Sequence, residues 1–295
     1  MCPRRRGIFA QTPDNTSMLP SFIVIGAAKC GTTSICNLLG RHPDVFVSDP
    51  KEPHYFSRIL SYRTGRKRYE QLFEEAERGG FLAVGEGSTS YTHPSRGDFT
   101  AARIRETLPD VRLIYMVRHP IRRLESDWLM RRREGRTPER IGAAVERQAS
   151  LVTFGMYWKH LSLYREHFPD DQIATVFLED LAEAPEEVVG GLCHHMGVDP
   201  ARMPAPGDTR SNRAEQYRKD GLMASALRKV PGAVKLRDAM PDSVRRMGKD
   251  LLTDEYGETI EWRPGEVEAV LDVLRPDALR LLEHCGKPSD FWDLG

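Results

Sequence analysis

The sequence predicts an α/β fold of three layers, a central parallel sheet flanked by helices. Short, continuous apolar runs such as FIVIG (22–26) and VRLIYMV (111–117) suit strands buried on both faces. Segments with helical spacing of apolar residues alternate with them. A glycine-containing turn follows the first run and opens directly into a helix pattern. Such alternation gives a parallel sheet covered on both sides, with ligands beyond the carboxyl ends of the strands.

After FIVIG, Thr32-Thr33-Ser34 opens a helix with Ile35, Leu38 and Leu39 inward, stopping near Gly40 and His42-Pro43. FLAVGEG (81–87) reads as the second strand and 95–107 as a helix. VRLIYMV is the third strand, and PIRRLESDWLMRRREG (120–135) a helix with proline in its first turn. Further helices are expected over 138–149 and 155–168, a fourth strand running into a turn over 172–181, and a helix over 185–197. Val267, Val270, Leu271 and Leu274 mark another helix, which Pro276 should end or kink before a short helix carrying Leu279 and Leu282.

Composition narrows the function. Forty-three basic residues balance 43 acidic ones, so bulk charge gives no case for nucleic acid or a membrane surface. No run approaches the roughly 18 apolar residues of a membrane span, and the basic N-terminus lacks the apolar core of a signal peptide. Five scattered cysteines without metal-ligand spacing suit reduced thiols and a cytoplasmic location. Residues 1–20 are expected to be a flexible tail and 21–295 one domain, in which the polar, basic stretch 205–236 is long enough to be a lid. The sequence is silent on oligomeric state, and no motif requires a metal.

The chemistry begins at IGAAKCGTTS (25–34). A turn that enters a helix this way aims backbone N–H groups at one point, where the helix dipole favours an anion. A Walker A loop carries lysine directly after its second glycine, whereas here Lys29 precedes Gly31 by two. An ATP-magnesium kinase or nucleotidase, and a non-catalytic nucleotide-binding protein, are the alternatives this loop leaves open. About 90 residues later, Arg118 stands at the end of the third strand, with Ser126 on the next helix. A guanidinium there is a planar fork suited to phosphate.

Together these elements resemble the sulfotransferases that use 3′-phosphoadenosine 5′-phosphosulfate (PAPS), a family with a P-loop-type fold. The similarity runs from about residue 22 to 200 and is closest in motif to the heparan-sulfate branch. The resemblance implies that Ala28, Lys29, Cys30, Gly31, Thr32, Thr33 and Ser34 hold the 5′-phosphosulfate, and that Arg118 and Ser126 hold the 3′-phosphate. It makes Asn212, Arg213, Arg218 and Lys219 the lid contacts. The segment DPKEPHYFS (49–57) resembles the one that carries the branch's catalytic glutamate, which makes Glu52 the base. His54 would point the same way from an extended strand and is the rival base, while Lys29 meets the charge on the leaving phosphate. Lys51 stabilises charge or is simply solvated. One departure stands out: the branch usually has lysine after the glutamate of GEGSTSY (85–91), and this chain has Gly87. Glu86 is substrate-orienting or structural, and Tyr91 and His93 are candidates for the acceptor pocket. Arg122, Arg123 and Arg131 to Arg133 read as a solvated helix face, and Trp128 as packing. The acceptor itself, a small molecule or a glycan offering a hydroxyl or less readily an amine, has no signature.

Overall fold

The computed structural model describes residues 19–204 and 260–295. Five strands form one parallel sheet: β1 (Phe22–Gly26), β2 (Val45–Val47), β3 (Ala83–Gly87), β4 (Arg112–Val117) and β5 (Ile173–Phe177), in the order β2-β3-β1-β4-β5. The predicted three-layer arrangement is observed. β1 is buried along its whole length between β3 and β4, which is why its sequence is apolar without alternation.

Among the described residues the α-helices are α1 (Thr32–Leu39), α2 (Ile59–Thr64), α3 (Arg66–Gln71), α4 (Glu74–Gly79), α5 (Gly97–Thr107), α6 (Pro120–Arg133), α7 (Ile141–Arg147), α8 (Ser150–Thr153), α9 (Tyr157–Arg165), α10 (Leu178–Glu183), α11 (Pro185–Met196) and α12 (Glu266–His284). Ile35, Leu38 and Leu39 turn α1's apolar face onto the sheet, as their spacing requires. Each such side chain contributes about 1.5–3 kcal/mol on burial.

Three features differ from expectation. β2 is a three-residue edge strand inside HPDVFVSDP, too short to show a period. The fourth expected strand stops at Phe177, and Leu178 begins α10 at once. Pro276 lies inside one continuous helix, α12, instead of ending it. A proline there normally costs about 3 kcal/mol. Leu274, Ala278, Leu281 and Leu282 are fully buried on both sides of it, and the Asp277 carboxylate accepts the Trp158 and Lys159 N–H groups at 2.9 and 2.8 Å. That packing and the capping of α9 hold the helix through the proline.

At their carboxyl ends β1 and β2 lead into the loop and the turn that the sequence singles out, β3 leads into Ser88, and β4 into Arg118. The site is therefore an edge of the sheet.

Candidate active site

The loop after β1 is fixed by its own backbone. Ala27 N–H donates to Met116 O at 2.7 Å, tying the loop to β4, and Cys30 N–H closes a turn on Ala27 O at 3.2 Å. Lys29 takes φ 69° and Gly31 φ 82°. Gly31 is required twice over, because a Cβ there would also come 2.8 Å from Leu178 Cδ1. No side chain caps α1, and the first helical N–H to reach a carbonyl of the loop is that of Ile35, on Gly31 O. The amides of Thr32, Thr33 and Ser34 are thus first-turn donors without an intrahelical partner. Lys29 Nζ lies 3.7 Å from Met130 Sδ on α6. Ser126 is one turn earlier on that helix, on the same face as Met130.

Opposite stands the turn after β2. Lys51 Nζ donates to the hydroxyls of Thr32 and Thr33 at 3.1 and 2.9 Å, and lies 3.8 Å from Glu52 Oε1. The other carboxylate oxygen of Glu52 accepts the Thr89 N–H at 2.9 Å and the Thr89 hydroxyl at 3.3 Å. That division leaves Oε1 on the side of Lys51 and the α1 hydroxyls. The expected extended strand is absent here: Glu52 and His54 have φ 64° and 55°, with Pro53 between them. The two side chains still meet, His54 Nδ1 standing 3.5 Å from Glu52 Oε2, but through a tight turn. Left-handed backbone at such residues costs on the order of 1–3 kcal/mol each and persists only where neighbours hold it. The neighbours are the segment after β3. Glu52 N–H donates to Gly87 O at 3.0 Å, His54 N–H donates to Ser88 Oγ at 3.1 Å, and His54 Nδ1 is 2.7 Å from Ser90 Oγ, itself 2.7 Å from Ser57 Oγ.

An uncapped helix start and a held carboxylate thus share one sheet edge, joined by Lys51, and the comparisons with known proteins bear on what that pairing is. Residues 19–218 match the family model described as Sulfotransferase domain. The chain belongs to the sulfotransferase domain family. Heparan sulfate glucosamine 3-O-sulfotransferase 3A1 of Homo sapiens is 30% identical over 194 residues, covering 63% of this chain and 46% of its own length. The 3B1 enzyme of Homo sapiens is 31% identical over 192 residues, 62% of this chain and 47% of its own. The chain therefore matches about half the length of these curated relatives. Among solved structures, a sulfotransferase from Alicyclobacillus acidocaldarius superposes with a TM-score of 0.64 at 22% identity, over 92% of this chain and 97% of that one. At that identity the likeness shows the sulfotransferase fold alone.

Within this sulfotransferase domain, Arg118 follows β4 directly, is 3% exposed, and its Nε is buried without a hydrogen-bond partner. An orphaned guanidinium nitrogen and an uncapped helix start are what two phosphate groups would satisfy, so the residues present fit PAPS. Thr32 is buried, Thr33 exposed, and Ala28, Lys29 and Ser34 half-buried. Cys30 is turned inward: its thiol lies 3.4 Å from the Tyr157 hydroxyl and burial pushes it up to about 11, so its part in the loop is structural. Asn212, Arg213, Arg218 and Lys219, with the whole of 205–236, lie outside the described residues, as do residues 1–18.

Several readings of individual residues change. Tyr91 is fully buried and does not line a pocket: it donates to Glu86 Oε1 at 2.5 Å, beside the Tyr69 hydroxyl at 3.2 Å. Ser88 Oγ completes the nest on Glu86 Oε2 at 2.9 Å and, by accepting the His54 N–H, links it to the turn. Glu86 is therefore a positioning group under the site. Burial raises its carboxyl to about 7 against the pull of the three hydroxyls. Burial also lowers the His54 imidazole, with the Glu52 carboxylate opposing and Arg58 and Arg96 adding to the depression. Arg123 and Arg131 are not a solvated face: both are buried and converge on Asp127 at 3.2 and 3.0 Å, because α6 packs that face inward. Trp128 packs as expected, its Nε1 donating to Glu139 O. His93 is half-buried, edge-on to Phe154. Sequence reasoning missed Ser88, Thr89 and Ser90; the signal was the polar run STS directly after the strand FLAVGEG. Among the described residues no cluster of His, Cys, Asp and Glu could hold a metal ion.

Proposed function

We propose that the protein transfers the sulfuryl group of PAPS to a hydroxyl, less readily an amine, of a small-molecule or glycan-like acceptor. One observation carries the reading: Glu52 Oε1 stands 3.8 Å from an ammonium that is itself bonded to the first two hydroxyls of α1. This supports reading Glu52 as a base one lysine away from an anion site.

PAPS supplies an activated sulfuryl group: the bond from sulfur to the 5′-phosphate oxygen breaks with its electron pair as the acceptor oxygen bonds to sulfur. The chain supplies position and charge, which dominate loose transfers of this type. The first-turn amides of α1 and Lys29 meet the negative charge left on the phosphate. Arg118 and Ser126 hold the 3′-phosphate and so fix the nucleotide along α6. Glu52 takes the acceptor proton at Oε1, its other oxygen being pinned by Thr89. His54, already turned toward Glu52 Oε2 and Ser90, orients that carboxylate more readily than it reaches an acceptor. Lid contacts from 205–236 and a cytoplasmic location, consistent with free thiols at Cys30, Cys36, Cys193 and Cys285, complete the proposal.

Adenosine 3′,5′-bisphosphate in metal-free buffer should raise the melting temperature; at a hundredfold excess over its Kd the linkage is worth about 2.7 kcal/mol. ATP with magnesium should leave it unchanged. The opposite pattern would favour the kinase or nucleotidase reading.

A further inference from the structure

We propose that Lys51 is the second cation of the transfer site, gripping the oxygens of the sulfuryl group while Lys29 grips the phosphate. The inference rests on the PAPS reading above and assigns a role that the loop motif does not contain.

The two lysines approach the start of α1 from opposite sides. Lys29 leans on Met130 of α6, the helix that carries Ser126 and follows Arg118, so it lies on the nucleotide side. Lys51 comes from the turn after β2, on the side of Glu52, the proposed base that the acceptor hydroxyl has to reach. The sulfuryl group lies between phosphate and acceptor, which puts it on the Lys51 side of the loop. The ammonium is held by two hydroxyls at 3.1 and 2.9 Å and stands farther, at 3.8 Å, from the carboxylate. Neutral hydroxyls are weaker partners for an ammonium than anionic oxygens. A sulfuryl group arriving at those hydroxyls would therefore take over the ammonium without having to break a tight ion pair.

The route of the side chain explains Gly87. A Cβ at that position would lie 3.3 Å from Lys51 Cε and 2.8 Å from Cys36 Sγ. Residue 87 is bare and the Lys51 stem runs across it, only 23% of that side chain being exposed. The positive charge that a lysine at 87 would carry is delivered from position 51.

Calorimetric titration with PAPS and with adenosine 3′,5′-bisphosphate, without acceptor, separates the two cations. Lys51→Ala should leave the Kd for the bisphosphate within about twofold, weaken PAPS by about tenfold and lower kcat by roughly 10²-fold. Lys51→Met, which keeps the stem over Gly87, should behave alike with an unaltered melting temperature. Equal loss of both ligands, or transfer at the parent rate, would overturn the assignment. If the parent protein binds neither ligand, the PAPS reading itself fails, a distinct result. Lys51→Ala combined with Cys36→Ala and Gly87→Lys opens the room for a lysine at 87 and should regain at least tenfold in kcat. A triple variant that binds the bisphosphate normally yet stays at the Lys51→Ala rate would contradict the exchange.

Discussion

The loop after β1 and the turn after β2 end at the same edge of the sheet, yet each keeps its shape by a different means. The loop is held by backbone: N–H hydrogen bonds to the carbonyls of Met116 and Ala27, and a glycine where φ is 82°. Its chemistry is mostly N–H groups at a helix start, which any sequence of the right spacing provides. The turn is held by side chains from another segment. Glu52 and His54 sit in left-handed backbone that non-glycine residues avoid, and Ser88, Thr89 and Ser90 keep them there. A self-sufficient loop can be read locally, whereas a turn that depends on a distant partner cannot.

Glu86 underlies the turn but not the loop. Its carboxyl is raised from 4.5 to about 7, chiefly by burial. A raised folded-state value means the native protein holds the proton more tightly than the unfolded chain. The stability so gained is complete below pH 4.5 and is lost as pH rises through 7, up to about 3 kcal/mol at 1.36 kcal/mol per unit. Glu86→Gln cannot ionise. Its melting temperature relative to the parent should climb steadily from pH 5 to pH 8, and a flat difference would remove Glu86 from the account.

A smaller effect is expected on the loop's side of the site. Arg118→Ala should weaken adenosine 3′,5′-bisphosphate by about 10- to 100-fold, the worth of one charged hydrogen-bonded contact of about 1.5–3 kcal/mol. Adenosine 5′-monophosphate, which lacks the 3′-phosphate, should bind nearly as before. Equal weakening of both by calorimetry would place Arg118 elsewhere.

Legibility in the sequence follows the same division. β1 and β4 declare themselves because strands buried on both faces are almost continuously apolar, β3 by the apolar start of FLAVGEG, and α1 because its apolar spacing starts at a hydroxyl pair. β2 escapes notice because three residues at a sheet edge carry no period, and α12 outlasts Pro276 because burial and the Asp277 cap outweigh a local penalty. Lys29 and Arg118 are visible from spacing. Glu52 is visible only through resemblance, and its φ of 64° and its bonds to Thr89 emerge only when β2 and β3 lie side by side. Arg123 and Arg131 mislead because charge alone suggests solvent, while Asp127 on the same helix face makes their burial tolerable.

The central claim is that the loop binds and the turn reacts. Glu52→Gln, studied in parallel by calorimetry with adenosine 3′,5′-bisphosphate and by transfer from radiolabelled PAPS to a panel of phenolic and sugar hydroxyls, tests it most directly. The account predicts an unchanged Kd for the bisphosphate and transfer reduced by roughly 10²–10⁴-fold, the usual loss for a general base. Transfer at the parent rate, or a Kd that collapses along with it, would contradict the separation of roles.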